Sequence, residues 1–404
     1  MDTLESLFLD LVSIPSPSGK EKRVAEYIRN FLIPLSYQVE EDSIAEDKDG
    51  SGNLLVRFLP HKNKMKNMNA NVAEVRDEGI DKGASKPDTQ ASGKAQTWAG
   101  ELGKPVVFLV AHIDTVPVPY TDTIPIKVES GIVHSGGSCA LGADDKAGVA
   151  LALYLLEQAA QNPESFPPFE VVFTVREEQG CAGAKAFDPS RLNAPYGICL
   201  DGESPVGTTI LEAPTKLKYT LTLQGKSSHA ALNPQQGINA IKGAGELLSG
   251  LPTGLLDAFT TANIGMIQGG TSINVVPEIC YITGELRSLR KENLQSWKKY
   301  IEHRVSTLSN LKYSLKWEEM YEGYRVSLDA PHLQAFTQAC KKEGVEVSFL
   351  SSRGGGDANF FNAKGFPTYV FGLGMEEIHS PQERYQLSNL TTASRILKSL
   401  LKML

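Results

Sequence analysis

Apolar and polar residues follow two patterns along most of the chain, and each pattern predicts one kind of secondary structure. Runs such as "PVVFLVAH" and "FEVVFTV" are almost continuously apolar, which is typical of strands buried on both faces of a largely parallel sheet. Stretches such as "DDKAGVALALYLLEQAAQ" and the N-terminal "MDTLESLFLDLVS" carry apolar residues at helical spacing instead. Because strands and helices alternate, the sequence predicts an α/β domain with a twisted, mostly parallel sheet.

A different order of elements begins at about Pro214. The apolar patterns of residues 214–323 predict a strand, a helix, two strands, a helix and a last strand. With its amphipathic helices, this is the order of a ferredoxin-like split βαβ unit. After Gly323 the α/β pattern returns, so we predict an inserted α+β domain at 214–323 between two parts of the first domain, 1–213 and 324–404.

One segment has neither pattern. Between Pro60 and Pro105 the chain loses apolar periodicity and is rich in Lys, Asn, Gly, Ser and Asp. Such a composition buries too little apolar surface to order itself. We therefore predict a mobile surface insertion at about 61–104, between neighbouring strands of the first domain.

Composition and charge exclude several classes of protein. The chain has 404 residues, 41% of them hydrophobic and 22% charged, which is typical of a globular protein with two domains. The formal charge of -7 and the scattered basic residues exclude a nucleic-acid partner. No stretch approaches the roughly 18 apolar residues of a membrane span, and the acidic start is unlike a signal peptide. We expect a cytoplasmic protein whose five scattered cysteines are reduced thiols.

Polar side chains follow several predicted strands at the point where each strand ends. Taken singly, each of three residues has an ordinary structural explanation: His112 as a core histidine, Asp144 as a helix N-cap and Asp201 as a turn residue. Together they are imidazoles and carboxylates at one edge of a sheet, and these groups are the ligands of zinc and related ions. The sequence therefore predicts a metal centre built from residues after these strands: His112, Asp114, Asp144, Asp145, Glu177, Glu178, Asp201 and His379.

Eight motifs make this prediction more specific. They are "HIDTVP", "GADDKAG", "REEQG", "LDGE", "GKSSHA", "GGTSINVVPE", "GELRS" and "RGGGDANFF". Their residues and order resemble the M20 family of co-catalytic metallopeptidases, and within it the peptidase T-like aminotripeptidases. The resemblance runs nearly end to end, apart from the polar insertion. It implies a zinc-exopeptidase-like catalytic domain at 1–213 and 324–404, and a lid or dimerisation domain at 214–323 through which a homodimer forms.

The resemblance also implies two zinc ions that share Asp144 as a bridging carboxylate, with cobalt or manganese as substitutes. With Asp144, His112 and Asp201 would bind the first ion. Glu178 and His379 would bind the second ion together with Asp144. Asp114 would orient the imidazole of His112 through its second nitrogen. The family further implies a cis peptide bond after Asp144.

The glutamate pair has two separate roles in this interpretation. Neighbouring side chains diverge at a strand end, so Glu178 can reach the metals while Glu177 faces the attacking water as general base. His229 of "GKSSHA" resembles the family's oxyanion-stabilising histidine, often supplied by the partner subunit of a dimer. A histidine on a solvated loop is the alternative for His229.

Substrate contacts are expected from the inserted domain and from the glycine loop. Asn274 and Arg287 resemble the family's contacts to the substrate carboxylate, although Arg287 has the alternative of a strand-edge ion pair. Arg353 with the backbone amides of Gly354, Gly355 and Gly356 is a candidate anion cradle, since glycine lets main-chain N–H groups approach a carboxylate closely.

These residues favour an exopeptidase that releases the N-terminal residue of dipeptides or tripeptides. A carboxypeptidase or an N-acyl amino acid deacylase of the same family is the first alternative, because one arginine cannot distinguish a distant carboxylate from one beside the scissile bond. A non-catalytic metal-binding or peptide-binding scaffold is the alternative of another class.

Overall fold

The computed structural model describes residues 3–44, 48–60 and 104–404, so the predicted insertion at 61–104 lies outside the described residues up to residue 103. The chain divides into two compact units. The first unit consists of Met1–Thr209, Leu328–Ser348 and Phe366–Leu404, and the second consists of Ile210–Ser327 and Phe349–Gly365. Their predicted roles as catalytic domain and lid remain predictions. Within the described ranges, no helix is long and apolar enough to cross a membrane.

The helices and strands are numbered here in chain order. The described helices are α1 (Thr3–Ser13), α2 (Lys22–Leu32), α3 (Ala143–Gln161), α4 (Ala182–Ala186), α5 (Ala240–Leu248), α6 (Lys291–Ser306), α7 (Pro331–Lys342), α8 (Asp357–Ala363) and α9 (Leu387–Leu401). The described strands are β1 (Val39–Glu41), β2 (Leu54–Phe58), β3 (Phe108–His112), β4 (Lys127–Glu129), β5 (Ile132–His134), β6 (Phe169–Thr174), β7 (Gly197–Gly202), β8 (Thr208–Ala213), β9 (Thr215–Gln224), β10 (Gly254–Leu255), β11 (Thr260–Gly269), β12 (Ile279–Ser288), β13 (Lys312–Tyr321), β14 (Tyr324–Arg325), β15 (Ser348–Ser351), β16 (Thr368–Gly372), β17 (Met375–Glu376) and β18 (Arg384–Gln386).

The main sheet of the first unit has the strand order β1-β2-β6-β3-β7-β16. Strands β6, β3, β7 and β16 run parallel to one another, whereas β2 is antiparallel to β6 and β1 is antiparallel to β2. Every residue of β3 and β6 is buried, as their continuous apolar runs predict for strands covered on both faces. The fold class predicted from the sequence is confirmed: an α/β fold with a mixed, mostly parallel sheet.

The register of this sheet brings the ends of three strands to one level. His112, the last residue of β3, lies opposite Thr174, the last residue of β6. On the other side Val110 pairs with Cys199 of β7, so Asp201, two residues further on, is level with His112. The polar residues that follow β3 and β6 and the end of β7 therefore meet at one edge of the sheet.

Helix packing in the first unit follows the amphipathic pattern of the sequence. Helix α1 packs on α3 and buries a stripe made of Leu4, Leu7, Phe8, Leu11 and Val12. Most of α3 is buried, including Lys146, which is 1% exposed. The Nζ atom of Lys146 donates a hydrogen bond to the carbonyl oxygen of Ile14 at 3.1 Å, close to the end of α1. This contact ties α1 to the start of α3.

The second unit contains an antiparallel sheet of order β10-β11-β12-β9-β13. Without the two-residue strand β10, this is the order expected for a ferredoxin-like βαββαβ unit. Buried and partly exposed residues alternate along β9, so one face of the sheet is covered. The core on that face is shared with α5 and α6 and includes Leu221, Leu223, Ala244, Leu247, Ile282, Ile301 and Val305.

Two features were not predicted. The first unit contains a small antiparallel sheet of order β17-β18-β5-β4, whose strands of two or three residues are too short to give a periodic signal. The segment "SSRGGGDANF", predicted as a loop, includes the end of β15 and the start of helix α8. That prediction was wrong because turn-forming glycines hid the short helix that begins directly after them.

Candidate metal centre

His112 lies at the centre of the first group of candidate ligands. Its Nε2 atom is 3.0 Å from Oδ1 of Asp144 and 3.8 Å from Oδ1 of Asp201. Its Nδ1 atom is 3.0 Å from the carbonyl oxygen of Asp114. The imidazole is buried, with 2% of the residue exposed, and therefore presents Nε2 to two carboxylates from a fixed position.

A second group forms on the other side of Asp144. Oδ2 of Asp144 is 3.0 Å from Nε2 of His379, and Oε1 of Glu178 is 2.8 Å from the same nitrogen. Asp144 thus directs one oxygen to each histidine. Within each group, the possible ligand atoms all lie within 4.8 Å of one another. The structure brings together every residue that the sequence analysis placed in the metal centre as a ligand.

The donor set fits two divalent cations that share Asp144. Imidazole nitrogen and carboxylate oxygen are the ligands that zinc, cobalt and manganese accept. Oε1 of Glu178 is buried and accepts no hydrogen bond of suitable geometry from the described residues, although a nitrogen of His379 is close. A buried carboxylate oxygen without a donor is expensive unless a cation faces it.

The pKa values of the cluster indicate a shortage of positive charge. A hydrogen bond to Asp144 and the nearby carboxylate of Glu178 raise the pKa of His379 to about 10. Burial, followed by the charge of Asp144, raises the pKa of Asp201 well above its usual value. Burial lowers the pKa of His112, but hydrogen bonds to neighbouring carboxylates outweigh it and raise the pKa well above 6.5. The cluster therefore holds protons tightly wherever no cation neutralises its carboxylates.

Asp114 connects His112 to the glutamate pair. Its Oδ1 atom accepts a hydrogen bond from the amide of Glu177 at 2.9 Å, and its Oδ2 atom accepts one from the amide of Glu178 at 3.2 Å. Oδ2 also accepts a bond from the Ser18 hydroxyl at 2.6 Å. The contact of Asp114 with His112 is shorter through its carbonyl oxygen, at 3.0 Å, than through its carboxylate, at 3.4 Å. The buried carboxylate chiefly fixes the backbone of the glutamate pair, a role that sequence reasoning missed.

Asp145 is a neighbour of the ligands and faces backbone amides. The peptide bond between Asp144 and Asp145 is cis, as the resemblance implied. Oδ2 of Asp145 accepts a hydrogen bond from the amide of His112, and Oδ1 accepts one from the amide of Gly148, each at 3.1 Å. The fully buried carboxylate therefore joins the end of β3 to the first turn of α3.

Glu383 is a buried carboxylate that the sequence analysis did not select. Its Oε2 atom accepts a hydrogen bond from the amide of Gly142 at 2.9 Å, and its Oε1 atom accepts one from the amide of Asp144 at 3.2 Å. Only 1% of Glu383 is exposed, and it follows His379 by four residues. Glu383 therefore ties the turn that carries Asp144 to the segment that carries His379. Such a bond to backbone amides has no signature in sequence.

His229 and Asn274 are neighbours in the second unit. Nδ1 of His229 accepts hydrogen bonds from the amides of Ala231 and Leu232, both at 3.2 Å. A ring nitrogen that accepts has no hydrogen, so in neutral His229 the hydrogen is on Nε2. The carbonyl oxygen of Asn274 accepts a bond from the amide of Ala230 at 2.9 Å, which fixes the two residues side by side.

Arg287 already has a partner of opposite charge. Its Nε and Nη2 atoms donate to the two carboxylate oxygens of Glu285 at 2.8 and 3.2 Å. Lys216 also lies 2.9 Å from Glu285. In this structure the Arg287 guanidinium is thus paired with a carboxylate of the same strand, β12.

The glycine loop differs from the predicted anion cradle. The amide of Gly354 donates to the Ser352 hydroxyl at 2.9 Å, and the amide of Gly356 donates to Oδ1 of Asn359 at 3.1 Å. A Cβ atom at Gly355 would lie 2.5 Å from the ring of Tyr321, which is a packing reason for that glycine. Two of the three predicted amides are thus used within the loop, and the exposed Arg353 remains as its charged group.

The fold and this cluster define a class of protein that comparison with known proteins identifies. The model of "Peptidase family M20/M25/M40" matches residues 108–403, so the chain belongs to that family and is a peptidase-type hydrolase. It is 30% identical over 400 residues to the uncharacterized protein YqjE of Bacillus subtilis (strain 168). The aligned region covers 98% of this chain and 96% of that protein.

Two solved structures are similar from end to end. The aminopeptidase PepT from Bacillus cereus ATCC 10987 has a TM-score of 0.80 and 28% identity, covering 100% of this chain and 98% of that one. A tripeptidase from Staphylococcus aureus subsp. aureus Mu50 has a TM-score of 0.82 and 28% identity, covering 99% and 97%. The prediction of a hydrolase of the M20 family with a peptidase T-like fold is confirmed.

Proposed function

We propose that this protein is a dinuclear zinc exopeptidase that releases the N-terminal residue of dipeptides and tripeptides. The observation that carries the proposal is the pair of ligand groups that share Asp144. It is supported by full-length similarity to an aminopeptidase PepT and to a tripeptidase. A homologous fold alone would not define the chemistry, whereas this arrangement of ligands suits metal-assisted hydrolysis.

In the proposed centre, His112, Asp144 and Asp201 would hold one cation, and Asp144, Glu178 and His379 would hold the other. When bound, such cations polarise the scissile carbonyl group and make an attacking water more acidic. Zinc is the proposed metal, and cobalt and manganese suit the same nitrogen and oxygen ligands. Asp114, Asp145 and Glu383 hold the backbone of the ligand-bearing segments by the hydrogen bonds described above.

Glu177 is the proposed general base. Asp114 holds the amides of Glu177 and Glu178, and from this stretch of backbone the Glu178 carboxylate lies 2.8 Å from His379, whereas the Glu177 carboxylate lies 3.1 Å from Cys181. The carboxylate of Glu177 accepts a proton from the attacking water and passes it to the nitrogen of the departing amine. Its Oε1 atom lies 3.1 Å from the thiol of Cys181, so we assign the proton transfer to Oε2.

His229 is the proposed donor to the oxyanion of the tetrahedral intermediate. Its Nδ1 atom accepts two backbone hydrogen bonds, so Nε2 carries the hydrogen that an oxyanion requires. As in the family that the sequence resembles, we assign this residue to the partner subunit of a homodimer.

The proposed homodimer forms through the second unit. Strand β10 pairs only with Thr261 and Ala262 of β11, and no other described strand pairs with that edge of β11. Met266 and Ile267 on β11 are 68% and 53% exposed. An open strand edge with exposed apolar residues favours association with a second chain. Sedimentation velocity tests this part of the proposal, and a mass of one chain for the zinc-loaded protein would contradict it.

Arg353 is the proposed partner of the substrate's terminal carboxylate. An exopeptidase that acts on short peptides needs a cation for this group, and a guanidinium can bind it through two hydrogen bonds. Asn274 is proposed to contact the substrate beside His229. Arg287 is not part of this proposal, because Glu285 occupies its guanidinium.

The proposed function is tested with one tripeptide in three forms: with free termini, with an acetylated N-terminus and with an amidated C-terminus. The zinc-loaded protein is incubated with each form, and the products are identified by mass. We expect release of the N-terminal residue from the free peptide alone. Release of the C-terminal residue, or removal of the acetyl group, would instead indicate a carboxypeptidase or a deacylase, and no hydrolysis of any form would overturn the proposed activity.

A further inference from the structure

A thiol lies beside the proposed general base. Sγ of Cys181 is 3.1 Å from Oε1 of Glu177, and Cys181 is buried, with 3% of the residue exposed. From this contact we infer that Cys181 is a positioning residue, whose S–H group holds the Glu177 carboxylate in one orientation for proton transfer. The inference rests on the proposed role of Glu177 and extends it to a residue in no family motif quoted above.

The backbone around this contact forms a closed turn. The amide of Cys181 donates a hydrogen bond to the carbonyl oxygen of Glu177 at 2.7 Å, and the amide of Ala182 donates one to that of Arg176 at 3.0 Å. These bonds bring residues 177 and 181 together on one side of the turn. The thiol and the carboxylate therefore belong to side chains that leave two positions held close together by a hydrogen-bonded turn.

Cys181 adopts a backbone conformation that favours glycine. Its φ is 57° and its ψ is 40°, in the left-handed region that residues with a Cβ atom rarely occupy. Glycine would adopt this conformation without strain. A side chain kept at a strained position beside a proposed catalytic group indicates that the side chain has a use there. The Sγ–Oε1 contact is one such use.

The contact has a defined chemical consequence. The plane of a carboxylate can rotate about the last side-chain bond, because this torsion is soft. A thiol is a weak donor, yet in a buried setting it favours the rotamer in which Oε1 faces sulfur. Oε2 is then the oxygen directed away from Cys181, in the orientation assigned to proton transfer. Loss of the thiol would leave Glu177 in place but less ordered.

Two substitutions of Cys181 test this inference in the full-length, zinc-loaded protein. Cys181→Ala removes the donor, and Cys181→Ser keeps one of similar size. From the usual strength of a single hydrogen bond, we expect Cys181→Ala to lower kcat about five- to tenfold with KM unchanged, and Cys181→Ser to stay within about twofold of wild type. Zinc content should stay at the wild-type level in both. Equal losses in the two variants would overturn the inference.

A double-mutant cycle separates positioning from a general structural effect. Glu177→Asp shortens the base by one methylene group, so its carboxylate cannot reach Sγ in the same way. We expect Cys181→Ala to cost less than about twofold in kcat on this background, because the contact is already lost. The same fold-loss on both backgrounds would indicate a structural role and contradict the inference.

Infrared spectroscopy provides a readout that does not need turnover. The S–H stretching band of Cys181 is assigned by its loss in Cys181→Ala. We expect the band to move to higher frequency in Glu177→Ala, because a hydrogen-bonded S–H group is weakened by its acceptor. An unmoved band would contradict the contact itself. If the wild-type protein hydrolyses no peptide while the band does move, the proposed function fails and the contact stands.

Discussion

The ligand cluster of the first unit and the predicted substrate contacts of the second unit differ in how their polar atoms are satisfied. In the cluster, buried and partly buried carboxylates face the buried imidazole of His112 and the exposed one of His379, and Oε1 of Glu178 lacks a donor of suitable geometry among the described residues. In the second unit, Arg287 is paired with Glu285, and the amides of Gly354 and Gly356 donate within their own loop.

This difference shows which sequence motifs can be interpreted directly as chemistry. A carboxylate or imidazole that the fold buries among like groups requires a cation or protons, so its presence in a motif is informative. A glycine amide or a surface arginine has many possible partners within the fold. For such donors, a motif predicts a site only after the internal hydrogen bonds have been accounted for.

The largest expected effect is that of Glu177→Ala. If Glu177 moves the proton and is not a ligand, its removal should lower kcat about 10³-fold, within the range known for general bases. The bound zinc, measured by atomic absorption after dialysis, should be unchanged. Glu178→Ala is the matched control, and it should lose zinc because it removes a ligand. If the Glu177→Ala protein kept most of its turnover, or lost its zinc, the separate roles of Glu177 as base and Glu178 as ligand would be contradicted.

The next effect concerns Glu383, which holds the turn of Asp144. Glu383→Gln keeps the size of the side chain but replaces one acceptor oxygen with a donor, so it cannot accept from both amides. We expect zinc affinity, measured by competition with a chelating dye, to fall about 10- to 100-fold, as for other outer-shell partners. Glu376→Gln is the control, since Glu376 is exposed and pairs with Arg384 on the same hairpin. Equal affinities in the two variants would contradict a positioning role for Glu383.

A smaller effect is expected from the two arginines of the second unit. Arg353→Gln should raise KM about tenfold for a tripeptide with a free C-terminus, because a charge-assisted hydrogen bond is lost. The C-terminal amide of the same peptide, used as a competitive inhibitor, should have a similar inhibition constant for the wild type and the variant, because it lacks the carboxylate. Arg287→Gln should leave KM within about twofold, since Glu285 already occupies that guanidinium. A larger rise in KM for Arg287→Gln than for Arg353→Gln would show that Arg287 leaves Glu285 to bind the substrate.

Much of the fold could be predicted because long apolar runs and amphipathic stripes report burial directly. The complete burial of β3 and β6 and the stripe of α1 are examples. The ligand cluster could be predicted because parallel strands end at one edge. Short strands such as β17 and β18 could not be predicted. The role of Glu383 could not be predicted either, because its partners are backbone amides more than 200 residues away in sequence. The glycine loop was misjudged because internal acceptors such as the Ser352 hydroxyl compete for its amides.

Buried polar atoms without partners also occur in the first unit away from the cluster. His332 on α7 is stacked between Tyr196 and Tyr369, with ring centroids 4.6 and 5.0 Å away. Neither of its ring nitrogens has a hydrogen-bond partner among the described residues. No carboxylate is among the causes that shift its pKa, which burial lowers to about 3. This histidine is therefore a test of whether an unpartnered buried atom by itself indicates a ligand site.

We expect His332 to affect stability and to leave activity and zinc binding unchanged, which is the smallest effect on function in the series. Its pKa is about 3 in the folded protein and about 6.5 in the unfolded chain, so the unfolded chain binds the extra proton between these values. Stability is therefore lost as the pH falls below 6.5, by about 1.4 kcal/mol for each pH unit in the middle of this window. His332→Phe keeps the aromatic stack and removes this titration. Unfolding of both metal-free proteins at pH 7 and pH 5 should show a smaller decrease for the variant, while zinc content at pH 7 should be the same in both. If the variant bound less zinc, His332 would contribute to metal binding. A buried histidine without neighbouring carboxylates would then have to be regarded as a possible metal ligand.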